Sequence, residues 1–93
     1  MLKIKRKEVN EMKFTRLDFA NCIKYSEVAN NATMKIAFDS LTMERPKANQ
    51  LLIIQQIIGY LRCMCDMKII SHNVFNDCIA DLHYMRDELK KGE

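Results

Sequence analysis

Thiols and imidazoles are the side chains here with the widest chemical reach, and most of them sit in the C-terminal half: Cys63, Cys65, His72, Cys78 and His83, with Cys22 far upstream. Thiolate sulfur and imidazole nitrogen are zinc ligands, and structural sites use four of them in tetrahedral array. Cys63-x-Cys65 is poorly suited to that task on a helix, because residues two apart point about 200° away from each other. The expected role of these cysteines is packing, since free cysteine behaves as a small hydrophobe. A dithiol redox centre is not expected either, as no Cys-x-x-Cys is present. His83 and Asp87 stand at i, i+4, a spacing that can orient an imidazole, yet no nucleophile and no glycine-rich loop accompany them. Asp77, Asp81, Asp87 and Glu88 read as a solvated acidic face. The chain is therefore expected to be no enzyme, with no catalytic residue, no metal and no cofactor.

The elements that carry these residues are expected to be helices. Of 93 residues 48% are hydrophobic, too many for a disordered segment, while 2 Gly and 1 Pro are too few for an all-β domain of many tight turns. The fold class read from this pattern is all-α, with three to four helices ending in an antiparallel helical hairpin, residues 46–68 and 72–91. Pro46 opens the first of these helices, where its missing N–H is harmless and where it discourages helical backbone at Arg45. Gln55, Gln56, Arg62 and Asp66 mark its polar face. Ile53, Ile54, Ile57, Ile58, Tyr60, Leu61, Met64, Cys65 and Met67 spread over an apolar arc of roughly 200°, about twice the stripe of an ordinary surface helix. Within it Leu51, Ile54, Ile58, Leu61 and Cys65 step by three and four as a seam for one neighbour. Gly59 lies at the edge of the polar face, where a second backbone can approach. The last helix, capped by Ser71 or Asn73, is amphipathic: Val74, Phe75, Cys78, Ile79, Leu82, Met85 and Leu89 face one way, and Asn76, Asp77, Asp81, Tyr84, Asp87 and Glu88 the other. It can cover about half the arc, leaving the rest to residues 14–41, a symmetry mate or a target.

Residues 14–28 fit one helix less cleanly. Thr15 and Asp18 are spaced as a capping box, and Leu17, Ala20, Tyr25 and Val28 make a stripe that leaves Phe19, Cys22 and Ile23 outside it. Asn30-Asn31 breaks the pattern, after which Thr33 is expected to cap a helix carrying Met34, Ala37, Phe38 and Leu41.

The formal net charge is +3, and all of it lies in the first thirteen residues: five basic side chains against Glu8 and Glu11 there, ten of each sign in the remainder. Residues 1–13 are thus expected to be a basic flexible arm and residues 14–93 one small domain. No apolar h-region follows the basic start and no run approaches the ~18 apolar residues of a membrane span. With four unpaired-looking cysteines, a reducing, cytoplasmic setting is expected.

Two stretches resemble known patterns. Met67-Lys68-Ile69-Ile70-Ser71-His72-Asn73-Val74-Phe75 resembles short C-terminal oligomerisation motifs with a Gly-Ile-Ile-Thr-Glu-Glu-Glu-Phe-like turn, sharing the two Ile, the hydroxyl and the Phe but neither the Gly nor the acids. Tyr25-Ser26-Glu27-Val28-Ala29-Asn30-Asn31-Ala32-Thr33-Met34-Lys35 resembles the first helix and turn of bacterial helix-turn-helix repressors, with Thr33 where the family has its turn glycine and Asp39 where it buries an aliphatic. That resemblance implies a DNA-binding regulator contacting nucleic acid through Lys3, Lys5, Arg6, Lys7 and Lys35, with the hairpin as dimerisation element. The leading expectation is different: a non-enzymatic helical interaction or regulatory protein, of which a phage or mobile-element inhibitor of a host or defence protein is one form. It pairs with a second copy or a larger target through Ile53, Ile57, Tyr60, Met64 and Met67, with Met34, Met43 and Met85 as further adaptable contacts.

Overall fold

A computed structural model describes residues 11–91. The charged residues Lys3, Lys5, Arg6 and Lys7 of the expected arm lie outside them. Five α-helices follow a short strand and a 3-10 turn: β1 (Glu11–Met12), the turn Arg16–Phe19, α1 (Ala20–Ile23), α2 (Ser26–Ala29), α3 (Ala32–Leu41), β2 (Arg45–Pro46), α4 (Lys47–Asp66) and α5 (His72–Lys90). The fold is all-α with the expected C-terminal hairpin, α4 against α5, and a two-residue antiparallel ladder in which Glu11 faces Pro46 and Met12 faces Arg45. Glu11 and Met12, grouped by charge with the arm, are thus paired backbone.

Local chemistry sets each boundary. Pro46 is the N-cap of α4 rather than its first residue, with φ −55° and ψ 145°. At the other end Lys68 adopts φ 62°, the left-handed region, so that the Ile69 amide reaches back to the Met64 carbonyl at 2.8 Å and the Lys68 amide to that of Cys65 at 3.0 Å. This is a Schellman closure with lysine where glycine is preferred. Ser71 caps α5 by accepting from the Val74 amide at 3.2 Å. Asn31 caps α3, accepting from Met34 at 3.1 Å, so the expected cap at Thr33 moves two residues upstream.

Residues 14–28 depart from the single expected helix. The Thr15 amide donates to the Asp18 carboxylate at 2.8 Å, as the capping-box spacing requires, but the helix this starts is one 3-10 turn. The chain then redirects twice, through α1 and α2, so one helical wheel cannot describe it. Leu17 is 86% exposed, whereas Phe19 and Cys22, which lay off the expected stripe, are fully buried. Phe19 stacks on Phe38 of α3 with ring centroids 4.8 Å apart.

The core gathers Phe14, Phe19, Met34, Phe38, Ile54, Ile57, Leu61, Leu82 and Met85 around α4. Each large aliphatic side chain so enclosed contributes about 1.5–3 kcal/mol. α5 packs on one side of α4, α3 on another, and α1 with the 3-10 turn lies on α5. The wide apolar arc of α4 is therefore covered mainly from within the chain.

Candidate interaction surface

Two carboxylates expected to be merely solvated hold the N-terminal segment in place. Asp81 accepts from the Asn21 backbone amide at 2.8 Å and from the Asn21 side-chain amide at 2.9 Å, fastening α1 to α5. Asp77 accepts from the Tyr25 hydroxyl and lies 3.8 Å from the Lys24 ammonium. The Asp77 carboxylate, with desolvation second, holds the Tyr25 phenol in its neutral form and pushes its pKa up to about 12. Beneath them the Cys22 thiol donates to the Cys78 carbonyl at 3.6 Å, and contact with Cys78 together with burial drives the Cys22 pKa up. These two cysteines are packing residues, as expected.

A polar residue that sequence reasoning passed over sits at the centre of the other junction. Gln50 is completely buried, and its Nε2 donates to the carbonyls of Met12 (2.7 Å), Leu41 (3.2 Å) and Met43 (3.2 Å). One side chain of α4 thereby ties β1, the end of α3 and the following connection. Its Oε1 has no partner among the described residues.

The five expected contact residues separate by burial into three groups. Ile57 and Met64 are 1% and 3% exposed, so they belong to the core and present nothing to a partner. Ile57 faces α3, where it lines a shallow cavity of about 160 Å³ with Thr33, Met34, Ala37, Gln56 and Tyr60. Ile53 is half-buried against the same core. Tyr60 and Met67 remain on the surface at 37% and 70%. Of the other methionines, Met34 and Met85 are core and Met43 is exposed. For Ile57 the physical reason is that α3 occupies the side of α4 that the hairpin leaves open.

A different face of α4 stays open. Ala48, Asn49, Leu52, Gln55, Gln56, Gly59 and Tyr60 are exposed, Leu52 by 58%, and exposed Arg62 and Cys63 close the face at its C-terminal end. Between Lys47 and Arg62 the helix carries no charged residue at all. A solvated helix face ordinarily carries charges, whereas interface centres are depleted of them and enriched in Tyr and Met. A Cβ built on Gly59 meets nothing within 4 Å, so the middle of this face is open to a second backbone. The run of fourteen uncharged residues from Ala48 to Leu61 was visible in the sequence; the helical wheel assigned its apolar members to a core without asking why its polar members are all neutral.

The geometry of a helix-turn-helix is only partly present. α2 is a single turn, Asn30 and Asn31 lead into α3, and Lys35 is exposed. Asp39 is exposed too and pairs with Arg16 at 3.6 Å, so that carboxylate stands on the face a DNA reader would turn to phosphate. Among the described residues, no helix is long and apolar enough to cross a membrane. Compared with protein-family models, curated proteins and solved structures, the chain matches none of them.

Proposed function

We propose that this chain is a small non-enzymatic interaction protein, regulatory or inhibitory in effect, that docks on another protein through the outward face of α4. The observation that carries the reading is the uncharged, solvent-facing surface from Ala48 to Tyr60, bounded by Lys47 and Arg62, with Leu52 and Tyr60 exposed and Gly59 open between them. Burying that surface removes apolar area from water without desolvating an ion, the costly step at most helix faces. The rest of the chain serves as a mount: α3 and α5 hold α4 from behind, and Gln50 fixes its first turns.

The test uses the full chain as bait with two charged variants, Leu52→Glu and Gly59→Arg, and a control, Ile36→Glu on the exposed side of α3. All three positions are exposed, so folding is retained, as circular dichroism checks. A partner, foreign or a second copy, is expected to be lost with the α4 variants and kept with the control. A chain that stays monomeric and captures nothing, or a partner indifferent to both α4 variants, would show this reading to be wrong.

A further inference from the structure

The turn of the α4–α5 hairpin brings together two donors that the sequence separates by seven positions. The Cys65 sulfur lies 3.5 Å from Nδ1 of His72, the first residue of α5. Both line an open cavity of about 500 Å³, together with Asp66, Lys68, Ile69, Ile70 and Ser71. Cys65 is half-buried and His72 exposed, so the pair is reachable from solvent. The turn is fixed at both ends, by the left-handed Lys68 and by the Ser71 cap, so the backbone holds the two residues within reach of each other.

That separation matches one edge of a tetrahedral metal site. With Zn–S near ~2.3 Å and Zn–N near ~2.0 Å, a tetrahedral angle places sulfur and nitrogen about 3.5 Å apart. Cys63, the other cysteine of the helix, points elsewhere and is exposed. Among the described residues no group of three or more Cys, His, Asp or Glu converges on one point, so a single chain supplies only half a coordination sphere. A two-fold axis passing beside the turn would supply the other half, since it repeats the same pair on the far side.

We propose that Cys65 and His72 are a zinc half-site, completed by the same pair from a second copy to give a Cys₂His₂ centre. Zn²⁺ displaces one proton from each Cys65 thiol, so the two thiolates balance the ion's charge and two protons are released per metal bound. Exposed Ile69, on the rim of the cavity, is covered by the second copy. Asp66 and Lys68 in the same cavity offset each other within each chain. The site lies about 140° around α4 from Leu52 by helical spacing, so it stands independently of the docking face.

The experiment adds zinc, and separately cobalt(II), to the reduced, metal-free full chain and follows molar mass by light scattering and the cobalt–thiolate charge-transfer absorption. One ion per two chains, a doubled mass and a thiolate band are expected. Cys65→Ser and His72→Gln should each remove the dimer and the band, while Cys63→Ser leaves both. Retained helical circular dichroism in each variant excludes unfolding as the cause. One ion bound per chain without a change of mass, no binding, or a band that follows Cys63 instead of Cys65 would overturn the proposal.

Discussion

Replacing Gln50 tests whether a buried amide holds the N-terminal segment to the helical body. Gln50→Leu keeps nearly the same volume and removes the three donated contacts to Met12, Leu41 and Met43. The amide has two N–H groups for these three carbonyls, so at about 0.5–1.5 kcal/mol net for each hydrogen bond the gross loss is roughly 1–3 kcal/mol, and the carbonyls of Met12 and Met43 lose a partner. Two compensations reduce it. Leu41 keeps its bond from the Phe14 amide at 2.9 Å, and the unpartnered Oε1, a desolvated acceptor worth roughly 1–3 kcal/mol, disappears with the side chain. The expected outcome is a net destabilisation of about 1–2 kcal/mol, read from urea unfolding as a lower midpoint with unchanged slope. In a domain of this size about 1 kcal/mol lowers Tm by about 4–8 °C. Gln50→Ala adds a cavity and is expected to lose more, and Gln50→Glu, which sets a carboxylate among three carbonyls, more again. A neutral or stabilising Gln50→Leu, or the same loss for Leu as for Ala, would refute the assignment of a hydrogen-bonding role.

The clamp between α1 and α5 predicts that Asp81→Ala costs about 1–2 kcal/mol, because it strips two bonds from Asn21, while Asp87→Ala on the open face stays within about 0.5 kcal/mol in the same urea assay. The Tyr25 phenol has its pKa raised in the folded state, so its contribution to stability is fully present below about pH 10, the unfolded value, and is lost as pH rises through about 12; Tyr25→Phe should remove that alkaline step, and a titration of phenolate absorbance locates it. Lys68→Gly relieves a left-handed lysine and is expected to stabilise by about 1 kcal/mol, seen as a higher Tm. Duplex DNA at low salt is expected to show no mobility shift; a shift that weakens with Lys35→Ala would instead favour the repressor-like reading.

The hairpin was legible because two signals agreed over many residues: a period near 3.6, and boundary chemistry at Pro46 and Ser71. Residues 14–28 were not, because periodicity presupposes one axis and this segment has three. Phe19 and Cys22 looked misplaced on a wheel drawn through Leu17, and they are buried because the chain bends between them and Val28. A two-residue ladder is shorter than any alternation that could announce it. Gln50 is glutamine, a residue mostly found at the surface, and only the convergence of three carbonyls explains its burial. The burial of Ile57 and Met64 was hidden for a related reason: a wheel gives the width of the apolar arc of α4, but not which part of it the rest of the chain folds over. The neutral face opposite was the readable signal, and it lay in what the helix lacks.

The ties of α1 have a consequence for how the chain comes into being. Asn21 is held by Asp81, Cys22 by Cys78 and Tyr25 by Asp77, so every one of these bonds spans more than fifty residues and ends on α5. On the ribosome, α1 can find its seat only after α5 has cleared the exit tunnel. Until then Phe19 and Cys22 have only α3 and α4 to shelter them, and a chain stalled before Cys78 would show this N-terminal apolar surface to any chaperone waiting there.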